Sequence, residues 1–264
     1  MSIFSSAKAN AGTKVKVGRQ VASADRVAFH EIDHGEWTTL LRRYVDQNGK
    51  VDYKSWKASS PDSRQLVRYL AQLSHADLKK QSTRGAKLAF WINAYNAVTV
   101  HGILREYPTS SIRNHTAKFF GYNIWHDLLL QVGGQEFSLE QIEHEVLRKM
   151  GEPRIHFAIV CASKGCPRLL NTAYVEAELE TQLDENTRDF FSRRQNFRFD
   201  PAGPKFQFSS ILKWFGSDFG SSDAALLRHI ASYLPSKSAR EAATAGSGGI
   251  SYLEYDWSLN EQAK

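Results

Sequence analysis

Cys161 and Cys166 are the two cysteines of the 264-residue chain, both in Cys161-Ala-Ser-Lys-Gly-Cys-Pro167. A thiolate is the nucleophilic form of cysteine, and a helix N-terminus or a nearby cation favours it. Pro is preferred at the first turn of a helix, so Pro167 predicts a helix start with Cys166 at or beside its N-cap. Ser163-Lys164-Gly165 would then supply backbone N–H groups and a positive charge near the sulfur. Cys161 closes an apolar run, where desolvation keeps a thiol protonated. It reads as a resolving or inert partner. A Cys161–Cys166 disulfide needs Cα atoms within about 7 Å, and two buried, inert thiols are the third account. Two cysteines make neither a disulfide scaffold nor a zinc site with a second pair, so no metal or cofactor is expected.

Acid–base chemistry needs titratable groups nearby. In the helix predicted over Leu139–Met150, Glu143 falls within the apolar face and His144 on the other side. A carboxylate so placed must be paired or carry a raised pKa. Arg154 is the natural ion partner, and an acid/base role is the alternative. His144 and His101 are candidate bases. His156 is not, because a straight strand over residues 156–162 would hold it roughly 20 Å from the turn bearing Cys166; it reads as a hydrogen-bonded core histidine. Asn93, Asn96 and His101 share an arc of roughly 140° on a long apolar helix. Asn amides in such a place tie down backbone or form the polar wall of a pocket. Asn93, Asn96, His156, Lys164 and Arg168 are therefore the candidate binding groups beside Cys166, Cys161, His144 and Glu143.

The elements that must position these groups follow from pattern and punctuation. Ile155–Ala162, between turn signals at Gly151-Glu-Pro153 and Ser163-Lys-Gly165, predicts a strand buried on both faces. Trp37–Tyr44, Arg64–Leu73 and Gly85–Glu106 predict helices, the last long, buried and ended by Pro108. Val51-Asp-Tyr53 begins a short extended piece. Phe119–Val132 reads as extended, turning at Gly133-Gly134. Ser138-Leu-Glu-Gln141 is a capping box that opens Leu139–Met150. Further on come a helix over Val175–Phe191, strands Phe197–Phe199 and Phe206–Phe208, and a helix from Ser209 or Ser210 to Trp214. A helix over Ala224–Leu234, a flexible Ala242–Gly249 loop and a final strand Ile250–Tyr255 complete the chain. The expected fold is α+β: one helix-rich domain, residues 25–264, around a small mixed or antiparallel sheet, with a buried long helix.

The net charge of +6 is uneven, with four unopposed basic residues before residue 25. That stretch lacks apolar periodicity and predicts a disordered basic tail over residues 1–24. The nearly neutral remainder does not suit nucleic-acid binding. The longest uncharged run, Leu88–Leu104, holds two Asn, a Thr and a His and is read as a buried helix, not a membrane span. No apolar segment near Met1 reads as a signal peptide.

Ala89-Phe-Trp-Ile-Asn-Ala-Tyr-Asn-Ala97, Ile142-Glu-His144, Arg154-Ile-His-Phe-Ala158, Cys161-Ala-Ser-Lys-Gly-Cys-Pro167 and Tyr255-Asp-Trp-Ser-Leu-Asn260 together resemble the domain of unknown function 547 family, in order over roughly residues 36–260. The resemblance implies no settled activity. Bacterial members often look exported, and some relatives are fused to glutaredoxin modules, an association close to the thiol chemistry above. Two functions follow for test. One is a thiol-dependent enzyme in which a Cys166 thiolate performs hydrolysis, acyl transfer or thiol exchange on a small peptide-like or glutathione-like substrate. The other is a binding module whose motif residues only lock the core.

Overall fold

The computed structural model describes residues 14–116 and 123–263. Two apolar cores organise them. The first surrounds a 23-residue helix. It gathers β1 (Val15–Val17), α1 (Gly35–Tyr44), α2 (Tyr53–Ala58), α3 (Ser60–Leu73) and α4 (Arg84–Glu106). Thr83 caps α4 by accepting from the Ala86 N–H, and the helix stops just ahead of the Tyr107–Pro108 pair. From Leu88 to Val100 every α4 side chain is buried, so this helix is apolar nearly all round and needs neighbours on every side. A small sheet covers one flank: β2 (Leu128–Val132) and β3 (Gln135–Ser138) pair antiparallel, and β1 lies parallel against the other edge of β2. Gly133 and Gly134, both at positive φ, make the tight turn between them.

Residues 1–13 and 117–122, which include parts of the expected tail and of the expected extended stretch from Phe119, lie outside the described residues. From Lys14 onward the tail expectation gives way: Val17 and Val21 are buried, and Val15–Val17 adds a strand to the sheet. Alternate valines in a basic segment were enough to pay for that pairing.

The Ser138 capping box forms as expected and opens α5 (Leu139–Gln141). The α-helix does not continue. Ile142–Leu147 is π-helical and Arg148–Met150 is 3₁₀, with Gly151 in the left-handed region closing the segment.

The second core is rich in phenylalanine and gathers α6 (Leu179–Ser192), β4 (Phe197–Asp200), β5 (Lys205–Ser209), α7 (Ser210–Phe215), α8 (Asp223–Ile230), α9 (Lys237–Ala245) and β6 (Gly249–Leu253). β4 and β5 form an antiparallel hairpin with Phe197 opposite Phe208 and Phe199 opposite Phe206. β6 adds parallel to β5. Helix α9 replaces part of the expected flexible loop, because Ser236 caps it and Ala239 and Ala243 bury a narrow stripe. Tyr53, expected to be extended, opens α2 under an Asp52 cap.

The fold is thus α+β and helix-rich with small mixed sheets, but neither sheet contains Ile155–Ala162. Pro153–Phe157 is a 3₁₀ helix and the residues after it are irregular. The segment is buried as expected; its backbone is satisfied by side chains instead of a strand neighbour. Asn96 of α4 donates to the Ala158 carbonyl (3.0 Å) and accepts from the Val160 N–H (2.9 Å). Asn186 of α6 donates to the Phe157 carbonyl at 2.7 Å. Phe157 enters the second core while Ile155 and Ala158 enter the first, so this segment is the seam between the two. Among the described residues, no helix is long and apolar enough to cross a membrane.

Candidate active site

A cavity of about 280 Å³ opens at the seam. Tyr95 comes from α4, Glu143 and His144 from the π-helical turn, Cys161 and Cys166 from the irregular segment, and Trp214 and Phe215 from α7. Tyr255 and Trp257, which follow β6, close the wall.

The cysteine turn is built by the chain on its far side. Lys164 N–H donates to the Ser258 carbonyl (2.8 Å), Gly165 N–H to Asp256 (2.9 Å), and Asn260 N–H to Ala162 (3.0 Å). These bonds lay Tyr255 across Gly165, where an added Cβ would stand 2.9 Å from the ring. Ala162 adopts φ 59°, a costly conformation for a residue with a Cβ, and it sits between the two groups that reach the sulfurs.

Both cysteines are free thiols, and their sulfurs lie 2.8 Å apart. The Cys161 N–H donates to the Cys166 sulfur at 3.1 Å, and the Tyr255 hydroxyl stands 3.1 Å away on another side. Ser163 Oγ is 3.3 Å from the same sulfur and donates to Tyr255 Oη at 2.9 Å. Burial alone would raise the Cys166 thiol, but the hydrogen bonds with Cys161, Ser163 and Tyr255 overcome it and bring it to about 6. The Cys161 thiol moves the other way, held up first by its bond to the Cys166 sulfur and then by burial. The pair therefore shares one proton over a wide pH range, with the charge on Cys166. Tyr255 is pushed well above its usual range by burial and by the two sulfurs, so it stays a donor.

The low thiol does not arise as the sequence suggested. No helix follows Pro167, and Cys166 is not an N-cap. Residues beyond it are held by Asn93, which exchanges two bonds with the Tyr174 backbone, and by Gln182 and Asn186. The N–H groups of Lys164 and Gly165 bond the 256–258 segment, not the sulfur. Lys164 is exposed and outside the cavity.

Glu143 is half-buried on the facing wall and accepts from the Tyr95 hydroxyl at 3.1 Å. Burial raises its pKa, against the pull of His144 and Tyr95. Arg154 is not its partner: that guanidinium binds Glu152, Glu180 and Asp184. His144 is exposed, its Nδ1 3.1 Å from Arg148. Arg148 grips Asp218 with two bonds of 2.7 Å, and Asp218 bonds His156 Nε2 at 2.8 Å. Arg148 and His156 hold the Asp218 carboxyl down at about 2. His156 is stacked on Phe215, and burial lowers it to about 4 despite Asp218.

His156 is the hydrogen-bonded core histidine expected, yet it lines the same cavity as Cys166, because the 3₁₀ turn removes the straight strand that would have separated them. Of the nine candidate residues the structure brings together Cys161, Cys166, Glu143, His144 and His156. Asn93 and Asn96 spend their amides on backbone. Arg168 bonds Asn186 at 2.6 Å, outside the cavity, and His101 does not line it either. Sequence reasoning missed Tyr95 and Tyr255 as donors and the rings of Trp125, Trp214, Phe215 and Trp257. Tyr95 lies two residues after Asn93 and Tyr255 opens the C-terminal motif, so both stood in motifs already singled out.

No curated protein and no solved structure matches the chain. Residues 79–191, which carry Tyr95, Glu143, His144, His156 and both cysteines, match the model of the family described as "Protein of unknown function, DUF547".

Proposed function

We propose that the seam cavity is the active site of a thiol-dependent enzyme acting on a small acyl compound. The observation that carries the reading is the setting of the Cys166 sulfur: it lines a cavity and receives an N–H, a hydroxyl and a thiol donor within 3.1 Å. A thiolate so formed needs no histidine to remove its proton at the moment of attack. Attack on an acyl carbon moves the charge from sulfur to the carbonyl oxygen, and Tyr255 and the Cys161 N–H are then released to follow it. When the tetrahedral species collapses, the leaving group takes a proton from the carboxyl of Glu143, whose pKa burial raises; water then cleaves the thioester. The rings of Trp125, Trp214 and Trp257 suit a flat or apolar substituent.

Iodoacetamide labelling at pH 6 tests this. Cys166 is expected to react within minutes in the folded, reduced protein while Cys161 stays unmodified. Equal, slow labelling of both would overturn the nucleophile in favour of a cavity that only binds.

A further inference from the structure

The sulfur of Cys161 lies in contact with that of Cys166 inside the same cavity, which acyl chemistry does not require. We propose that the pair reduces hydroperoxides: the Cys166 sulfur takes the terminal peroxide oxygen, and Cys161, 2.8 Å away, then closes a disulfide. The inference rests on the reading of Cys166 as a thiolate and assigns that site a substrate class of its own.

The electron balance is complete within the cavity and the peroxide. The thiolate attacks the terminal oxygen; an S–O bond forms, the O–O bond breaks, and the alkoxide leaves with a proton from the Glu143 carboxyl. Cys166 is now a sulfenic acid. The Cys161 sulfur attacks it, an S–S bond forms, the S–O bond breaks, and the Cys161 proton departs with the hydroxide as water. The geometry fits this order. Tyr255 and the Cys161 N–H, which hold the thiolate, are placed to hold the peroxide oxygen as it arrives. The thiolate that keeps Cys161 protonated disappears at the first step, so the resolving thiol is released to ionise only once there is a sulfenic acid to attack. Cys161 is also the less buried residue of the two, and a small external thiol that attacks the disulfide there returns the pair to its reduced form, two thiol molecules being consumed per peroxide.

The test is titration of the reduced full-length protein with cumene hydroperoxide or hydrogen peroxide, followed by counting of free thiols and intact mass. The expected result is loss of both thiols and of two hydrogens for each equivalent of peroxide, reversed by glutathione, with a rate that falls about tenfold per pH unit below pH 6 as the thiolate is lost. Cys161→Ser is expected to stop at a dimedone-reactive sulfenic acid on Cys166, and Cys166→Ser to consume peroxide only at the background rate. Retention of two thiols by the wild-type protein after stoichiometric peroxide overturns the proposal whether or not either variant folds. If that protein still alkylates rapidly at Cys166 at pH 6, the nucleophile reading survives alone; if it does not, both fall together.

Discussion

Asn96 and Glu143 both place a polar side chain among apolar ones, against the same irregular segment or the cavity beside it, and they use it in opposite ways. Asn96 is 2% exposed, and its amide gives one bond and takes one from the backbone it faces. Asn93 does the same to Tyr174. Both polar atoms of each amide have a backbone partner, and neither group titrates. Across the seam, Glu143 has one phenol for a partner, a raised pKa and an open cavity in front of it, and the sulfur on the opposite wall is crowded with donors. Saturated polar groups hold a fold together. Groups with capacity left over and a displaced charge are the ones able to meet a substrate.

The contrast is broken most directly at Asn96. Asn96→Ala strands a buried carbonyl and a buried N–H and is expected to cost about 3–5 kcal/mol in urea unfolding. A loss below about 1 kcal/mol would show that the irregular segment finds its own partners and that the asparagine is not a structural clamp.

Acid separates the regions next. His34, His101 and His156 are all lowered to about 4, in each case chiefly by burial. The unfolded chain takes up these protons below its histidine pKa of 6.5, so the stability linked to these three histidines is full above that value and is lost as the pH falls towards about 4. Each histidine adds up to about 1.4 kcal/mol per pH unit within that window. His156 alone belongs to the cavity wall, so His156→Gln should remove one proton of three from the pH dependence of unfolding. An unchanged slope would place His156 in water in the native state.

Tyr255→Phe should leave the melting temperature nearly unchanged while slowing alkylation of Cys166 at pH 6 by about fivefold, the loss of thiolate when a thiol of pKa about 6 moves up by one unit. Equal rates would mean that the Cys161 N–H and thiol carry the stabilisation without the phenol. Glu143→Gln should be the mildest to stability, less than about 1 kcal/mol, since no cation pairs with it and Tyr95 keeps an acceptor. A loss of several kcal/mol would reveal a charged partner in solution.

Much of the fold was legible in local pattern. The Pro108 stop, the Gly133-Gly134 turn and the phenylalanine hairpin are signals whose cause lies within a few residues, and each produced the expected element; the Ser138 capping box formed too, but the α-helix it opens ends at Gln141. The cysteine segment was legible only in burial. Its apolar run promised a strand, but its hydrogen-bond partners are side chains from α4 and α6, far away in sequence, which periodicity cannot report. Pro167 misled for the same reason: Asn93, Gln182 and Asn186 hold the following stretch extended. Helical phase put Glu143 on a buried face, and it is half-buried; the π-turn beneath it was invisible, because a period of 3.6 was assumed throughout. Cys161, Cys166, Glu143 and His144, singled out by residue chemistry, line one cavity, whereas the phenols beside them were hidden as ordinary core aromatics.

Tyr255 lies 89 residues after Cys166, and that separation has a consequence during synthesis. At ribosomal rates the interval is on the order of ten seconds. In the later part of it α4, the π-turn and the cysteine segment are outside the exit tunnel, but the Tyr255 hydroxyl has not been made. A nascent chain therefore carries Cys166 without its contact to the Tyr255 hydroxyl, and that contact waits for the segment that follows β6.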